Sequence, residues 1–435
     1  MLVVRRIAAG AVVVILAIGI TLVASARFGR QFEQSAGSTP LAGVEAERVG
    51  GRDIARLQEH LREQPKDAVG WAGLGLAYVE QARVTADSSF YPKATAALDR
   101  SLRVQPDGNE PALTGQGALA AARHDFPTAL RLADQALKVN GYAMRAHAVR
   151  VDALVELGRY AEAEKAVKHA DVTKPGIPIF TRYAYVMELR GRVRDAERVL
   201  KLAAGSATHP ADIAYVRTQM GDLAWSHGDV AAANREYAFA LRVDPNHLPA
   251  LDGRARVSTA RGDVAAALRD RQALVGRAPL PSHVVALGEL YEANGMRAQA
   301  KAQFDVAGAW AAIARANGVV TDLEGTQIAS DHGDRAEALR AARTEWARRK
   351  SVHVADALAW ALHVNGKDKE ALTYARRAVA TGYRNAMFRY HLAVIEKSLG
   401  RDADARRDLK AALDLNPHFS DLHAPLARKA LKDLS

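Results

Sequence analysis

The feature that most constrains this chain is a spacing. Glycines stand at Gly158, Gly191, Gly228, Gly262, Gly295, Gly333, Gly366 and Gly400, separated by 33 to 38 residues. Five residues after each is an alanine: Ala163, Ala196, Ala233, Ala267, Ala300, Ala338, Ala371 and Ala405. Alanine fills 89 of the 435 positions. Even so, eight coincidences in eight would arise by chance only about once in several hundred thousand trials, so the period is a structural repeat. Seven residues beyond those alanines a second small residue recurs at Ala170, Ala203, Ala240, Ala307, Ala378 and Ala412, with Leu274 and Glu345 as the exceptions.

The physics of the spacing is that of a helical hairpin. Each glycine follows an apolar stretch of helical period and can end that helix in the left-handed conformation. Asp229 and Asp263, next to Gly228 and Gly262, can cap the helix that follows. Alanine at a fixed offset lets the second helix lie close against the first. Pro106, Pro175, Pro245, Pro279 and Pro417 close the second helix of their units. A hairpin of about 34 residues cannot bury its own apolar faces, so neighbours must stack into a continuous core. Runs of β-branched residues are almost absent beyond the first 25 positions, and the fold class expected is all-α.

The residues at the packing positions resemble those of the tetratricopeptide-repeat (TPR) family. Its W-x2-L-G-x2-Y pattern is met by Trp71, Leu74, Gly75 and Tyr78, and again by Leu287, Gly288 and Tyr291 with Val284 in the tryptophan place. Gly117 and Gly221 hold the same small position in their units, and the downstream A-x3-F element appears as Ala300/Phe304 and Ala233/Tyr237. The resemblance implies a superhelical solenoid of about ten helix-turn-helix units: 68–107, 110–143, 144–176, 177–212, 214–247, 248–280, 281–316, 319–351, 352–385 and 386–419. Capping segments are expected at 51–67 and 420–435. Residues 84–91 enlarge the first inter-helix turn, and the join near 310–317 lengthens the helix there. Each unit is expected to touch only its neighbours, which makes the array elongated.

The first fifty residues are of another kind. Ile7 to Ala26 is a 20-residue stretch without charge, flanked by Arg5 and Arg6 before and Arg27 and Arg30 after. At about 1.5 Å per helical residue it matches a bilayer's hydrocarbon core. Residues 1–26 are expected to be a signal-anchor transmembrane helix with the repeats outside, at the outer face of the cell membrane of a bacterium. Ala24-Ser25-Ala26 also fits a signal-peptidase site, and cleavage there would yield a secreted protein. Residues 27–50 read as a flexible tether.

Composition removes several chemistries. There is no cysteine, which excludes disulfides and thiolate sites. No phosphate loop, nucleophile elbow or zinc-protease helix occurs, so neither catalytic residues nor cofactors are expected. The 14 histidines are dispersed. His418, His423 and the Asp331-His332-Gly333-Asp334 turn are expected to be solvated loop or cap residues, with no metal site. The net charge of +11 suits acidic partners, anionic lipid or simple solubility. Arg340, Arg343, Arg348, Arg349 and Lys350, with Trp346 among them, are expected on a solvated convex helix face, which could alternatively meet lipid headgroups or an acidic partner.

The resemblance also implies where partners bind. In the family, positions 2, 5, 9 and 12 of each unit point into the concave groove. Position 9 gives Asp152, Tyr185, Asp222, Arg256, Glu289, Gln327 and Trp360; position 12 adds Glu188, Trp225, Glu292 and His363; position 5 adds Asp252, Asp356 and Tyr390. Mixed polar and aromatic residues on an inward stripe suit an extended peptide segment. The expected function is a non-enzymatic scaffold or adaptor that binds other proteins. A regulatory subunit of an envelope enzyme or secretion complex is the alternative. RNA binding on the neighbouring pentatricopeptide pattern is disfavoured by the anchor and by Trp71, Gly75 and Tyr78. No nucleic-acid partner is expected.

Overall fold

The computed structural model describes residues 51–85, 89–316 and 323–434; the expected anchor and tether lie outside the described residues. Among the described residues there are 22 α-helices and no strand. An opening helix α1 (Gly51–Glu63) precedes ten hairpins and a closing helix α22 (His423–Asp433) follows them. The hairpins are α2 (Ala68–Thr85) with α3 (Phe90–Val104), α4 (Glu110–Ala122) with α5 (Phe126–Val139), α6 (Met144–Glu156) with α7 (Tyr160–Thr173), α8 (Ile177–Leu189) with α9 (Val193–Ser206), and α10 (Pro210–Ser226) with α11 (Val230–Val243). They continue as α12 (Leu248–Ala260) with α13 (Val264–Arg277), α14 (Pro281–Ala293) with α15 (Arg297–Ala316), α16 (Leu323–His332) with α17 (Arg335–Arg348), α18 (Val352–Val364) with α19 (Asp368–Val379), and α20 (Ala386–Ser398) with α21 (Asp402–Leu415). No described helix is long and apolar enough to cross a membrane.

Most of these helices have 13 or 14 residues, a length that is marginal alone in water, so packing must hold them. The alanine ladder is the packing seam. All eight alanines of the first rung are at most 3% exposed. The second rung is equally buried, including its exceptions Leu274 and Glu345. Tyr237 shows the fit at one crossing. Its ring lies between Gly221 and Gly253, so close that a Cβ at Gly221 would fall 2.6 Å from it.

The turns follow the expected chemistry with two departures. Gly158, Gly191, Gly228, Gly262, Gly295, Gly366 and Gly400 all have φ between 70° and 80°. Asp229 and Asp263 accept the N–H groups of Ala232 and Ala266 as caps. Gly333 is the exception to the expected left-handed turn: it lies outside that region, behind the ten-residue α16. The second departure is His124, which takes the left-handed place in the α4–α5 turn with φ 59°. Helix α15 runs to 20 residues, the lengthening expected at that join.

The expectation that each unit touches only its neighbours is overturned. After roughly five and a half units the superhelix returns on itself, and residues 191 to 193 apart in sequence are bonded. The Lys350 N–H donates to the Glu156 carbonyl at 3.0 Å. The Val352 N–H donates to the Tyr160 hydroxyl at 2.7 Å, and the Asn416 amide donates to the Trp225 carbonyl at 2.8 Å. At the centre of this seam Arg349 binds Glu345 at 2.8 Å and Glu156 at 3.2 Å, all three at most 2% exposed. Arg349 is therefore not on a solvated convex face, because the returning turn that carries it packs it against Glu156 and Phe126 of the earlier units. Arg340, Arg343 and Arg348 are exposed as expected.

Candidate functional site

The inner wall of the superhelix is built by first helices. Between α8, α10, α12 and α14 lies a cavity of about 510 Å³, inside the range of about 300–1,000 Å³ usual for ligand pockets. Its far side is formed by the returning turn: Tyr383, Asn385 and Met387 from the α19–α20 connection and the start of α20, and Asn416 and Phe419 from the segment after α21.

Six of the fourteen candidate residues line this cavity: Tyr185, Glu188, Asp222, Trp225, Asp252 and Arg256. The other eight do not. Asp356 and Tyr390 are buried, Asp356 against His391, and His363 pairs with Asp368. Asp152 lies beside the cavity-lining hairpin and takes both oxygens to Arg182, at 2.8 Å each. Glu289 is bonded to His332 at 3.2 Å, and Glu292 is exposed. Gln327 is half-buried on α16. Trp360 is buried, stacked on His391 with centroids 4.2 Å apart, and donates to Asp331 at 2.6 Å. His332 and His423 are not solvated as expected. His332 stacks on Phe304, and His423 is 7% exposed near Trp360 and Tyr390. Among the described residues no group of three His, Asp or Glu is placed to hold a metal ion.

Within the cavity most charges answer each other. Asp222 accepts from the Tyr237 hydroxyl and from Arg256, each at 2.8 Å. Asp252 pairs with Arg271 and, at 3.2 Å, with Arg256. Burial alone would raise the Asp252 pKa, but Arg271 and Arg256 outweigh it and the carboxyl is lowered. The guanidinium of Arg256 also lies over the Trp225 ring, 5.5 Å from its centroid.

Glu188 is the charge without a cation. It is half-buried on α8, and the Ser226 hydroxyl lies 3.2 Å from its carboxylate. That hydroxyl has one proton and a nearer acceptor, the Leu223 carbonyl at 2.9 Å. Burial pushes the Glu188 carboxyl up to about 7, Ser226 opposes the shift and the Asp222 charge adds to it. Further groups on the wall lack hydrogen-bond partners, among them the Tyr185 hydroxyl and His283 Nε2. His283 Nδ1 lies 2.8 Å from the Ala278 carbonyl, which can only accept. The proton is therefore on Nδ1, and Nε2 is an open acceptor in the neutral ring that burial favours.

The spacing rule found the first-helix residues and missed the rest. Arg271 is on a second helix and His283 is at a position the rule leaves out. Tyr383, Asn416 and Phe419 arrive from about 190 residues away, and no signal in a single repeat announces them.

No family model matches the chain. It is 29% identical over 368 residues to "Cellulose synthase operon protein C" of Komagataeibacter xylinus, covering 79% of this chain and 26% of that one. It is also 29% identical over 233 residues to "Cellulose synthase 1 operon protein C" of the same organism, covering 50% of this chain and 17% of that protein. The chain thus spans about a quarter or less of the length of these curated relatives. Among solved structures it is similar to a thermophilic TPR protein of Thermus thermophilus, at 23% identity, with 40% of this chain and 91% of that chain covered and a TM-score of 0.35. The family pattern at Trp71, Leu74, Gly75 and Tyr78 opens an array of ten stacked hairpins, and the alanine rungs are buried along it. On that combination the fold is a solenoid of stacked helical hairpins of the tetratricopeptide-repeat type.

Proposed function

We propose that this protein is a non-catalytic scaffold that holds an extended segment of a partner protein inside its superhelix. The observation that carries the reading is the 510 Å³ cavity on the inner wall, lined by inward residues of four consecutive first helices and roofed by the returning turn. Its size admits a few residues of chain, not a folded domain. In a stacked array the inner wall is where side chains of many units converge, and aromatic with polar lining suits peptide capture. A photo-crosslinking residue at Gln219, on the lumen wall, should capture the partner, while one at the exposed Leu202 should not. Capture from Leu202 alone would move the binding surface outside.

The reading extends to location. With the 20 apolar residues of 7–26 as an anchor, the repeats stand at the outer face of the membrane. Protease added to intact spheroplasts should then digest them, and complete protection would reverse the orientation. A second reading, a non-catalytic subunit of an envelope enzyme or secretion complex, is favoured by likeness over 79% of the chain to a protein named for a cellulose synthase operon.

A further inference from the structure

The geometry points to a specific chemistry for the occupant: the cavity takes a basic side chain, lysine or arginine, of a bound peptide segment, with Glu188 as its counter-ion and Tyr185 and Tyr383 as its aromatic walls. This deepens the lumen-binding reading and rests on it.

Charge makes the first argument. Arg256 and Arg271 are the arginines on the cavity wall, and Asp222 and Asp252 hold both. Glu188 is left over, and the hydroxyl beside it has a nearer acceptor. A buried carboxylate without a cation is costly, and an incoming ammonium or guanidinium would remove that cost. The raised pKa of Glu188 reflects the same cost.

The open hydrogen-bonding groups make the second. His283 is 2% exposed and its Nε2 is an acceptor with no donor. The Tyr185 hydroxyl is likewise buried and unpartnered. Tyr185 and Tyr383 line the same cavity as Glu188, so a cation bound there has aromatic rings for neighbours. Arg271 Nε and Ser282 Oγ also lack hydrogen-bond partners on this wall. A bare ammonium can donate to Ser282 Oγ but offers Arg271 Nε no acceptor, whereas a peptide brings backbone carbonyls together with its cationic side chain. The same inventory explains why Asp222 and Glu289 are poor anchors for a basic ligand: Arg256 and His332 already hold them.

The test uses the full chain and calorimetry at pH 8. The probes are acetyl-Gly-Lys-Gly-amide, its arginine and norleucine counterparts, and n-butylammonium. The lysine or arginine peptide should bind at least tenfold more tightly than the norleucine peptide, and Glu188→Gln should lose at least tenfold. Glu188→Asp, which keeps the charge but withdraws it, should lose less. It also serves as the second variant if Glu188→Gln melts early. Equal binding of the norleucine peptide, undiminished binding by Glu188→Gln, or no binding of either basic peptide overturns the assignment. Binding of n-butylammonium as tightly as the peptide overturns the peptide source. The crosslink from Gln219 separates this proposal from its parent reading. A captured segment with no basic residue at the crosslink sinks the cation assignment and leaves lumen binding standing. Absence of any lumenal crosslink sinks both.

Discussion

Two sets of turn glycines have the same backbone and different surroundings. Gly158, Gly191 and Gly228 have φ of 72°, 71° and 76°; Gly262, Gly295, Gly366 and Gly400 have 80°, 73°, 72° and 70°. A Cβ added to the first three would fall 2.5, 2.5 and 2.6 Å from the carbonyl oxygens of Lys350, Gly382 and Leu415. Added to the other four it would meet nothing within 4 Å. The first set is thus glycine for two reasons, hairpin geometry and the approach of the returning turn. The second set is glycine for the first reason alone. One residue type at one period therefore hides two layers of organisation, the repeat and the closure of the superhelix.

The largest effect should come from the ionic centre of the seam. Arg349→Met leaves Glu156 and Glu345 buried without their cation, and breaking a buried pair this way costs about 3–5 kcal/mol. Arg348→Met, one residue earlier but exposed, should stay within about 0.5 kcal/mol of the parent. Denaturant melts of the two variants measure the difference. Equal melts would mean that the seam does not stabilise the fold.

The glycines themselves sharpen the comparison. Gly262→Ala puts a Cβ into the left-handed region, a strain of about 1–2 kcal/mol, and should leave the overall dimensions unchanged. Gly191→Ala carries the same strain and must also push the Gly382 backbone away. It should cost more and expand the particle in solution scattering. Identical scattering curves for the two variants would remove the distinction between the sets.

Much of the first layer was legible in the sequence, and little of the second. The ladder beginning at Gly158 fixed hairpin spacing, and its alanines are buried because each sits where two helices cross. Its earlier rungs, Ala94 and Ala129, are buried too, but they escaped the pattern. Histidine occupies the glycine place at 124 and serine the equivalent place at 89, so neither unit offers the anchor. The inner wall was half legible: first-helix positions yielded Tyr185, Glu188, Asp222, Trp225, Asp252 and Arg256. The closure was not legible, because it sums small rotations over five or six units, none of which carries a signature. That is why Arg349 reads as a surface residue in the sequence and is buried in the fold. It is also why Tyr383 and Asn416 could not be joined to the site.

A variant within one hairpin separates local packing from closure. Ala300 is 3% exposed at a helix crossing, far from the seam contacts, while Ala298 on the same helix is exposed. Ala300→Trp should cost about 1–3 kcal/mol through overpacking, and Ala298→Trp should cost little. Because the disturbance is local, hydrogen exchange should quicken first in α14 to α16 and leave α6 and α7 protected. Loss of protection in both regions together would mean that ladder and seam unfold as one unit.

A pH-dependent effect concerns the cavity that the closure encloses. Glu188 has its carboxyl raised from 4.5 to about 7, so between those values the folded chain binds more protons than the unfolded one. Stability contributed by this group is present below about pH 4.5, falls as pH rises through the interval, and levels off above about 7. Glu188→Gln cannot ionise, so the variant should lack this slope and exceed the parent above pH 7 by about 1–3 kcal/mol. Tyr185 and Tyr383, pushed up by burial, stay protonated throughout this window, and Asp252 on the same wall is lowered because Arg271 and Arg256 outweigh its burial. Urea melts of parent and variant at pH 4.5, 6 and 8 supply that difference curve. The comparison of the two glycine sets enters here as well. If Gly191→Ala lifts the returning turn, Glu188 regains water, and the parent-minus-variant slope should flatten in that background but persist in Gly262→Ala. A slope that survives Gly191→Ala unchanged would mean that the returning turn does not seal the cavity. The carboxyl would then be raised by α8 and its neighbours alone.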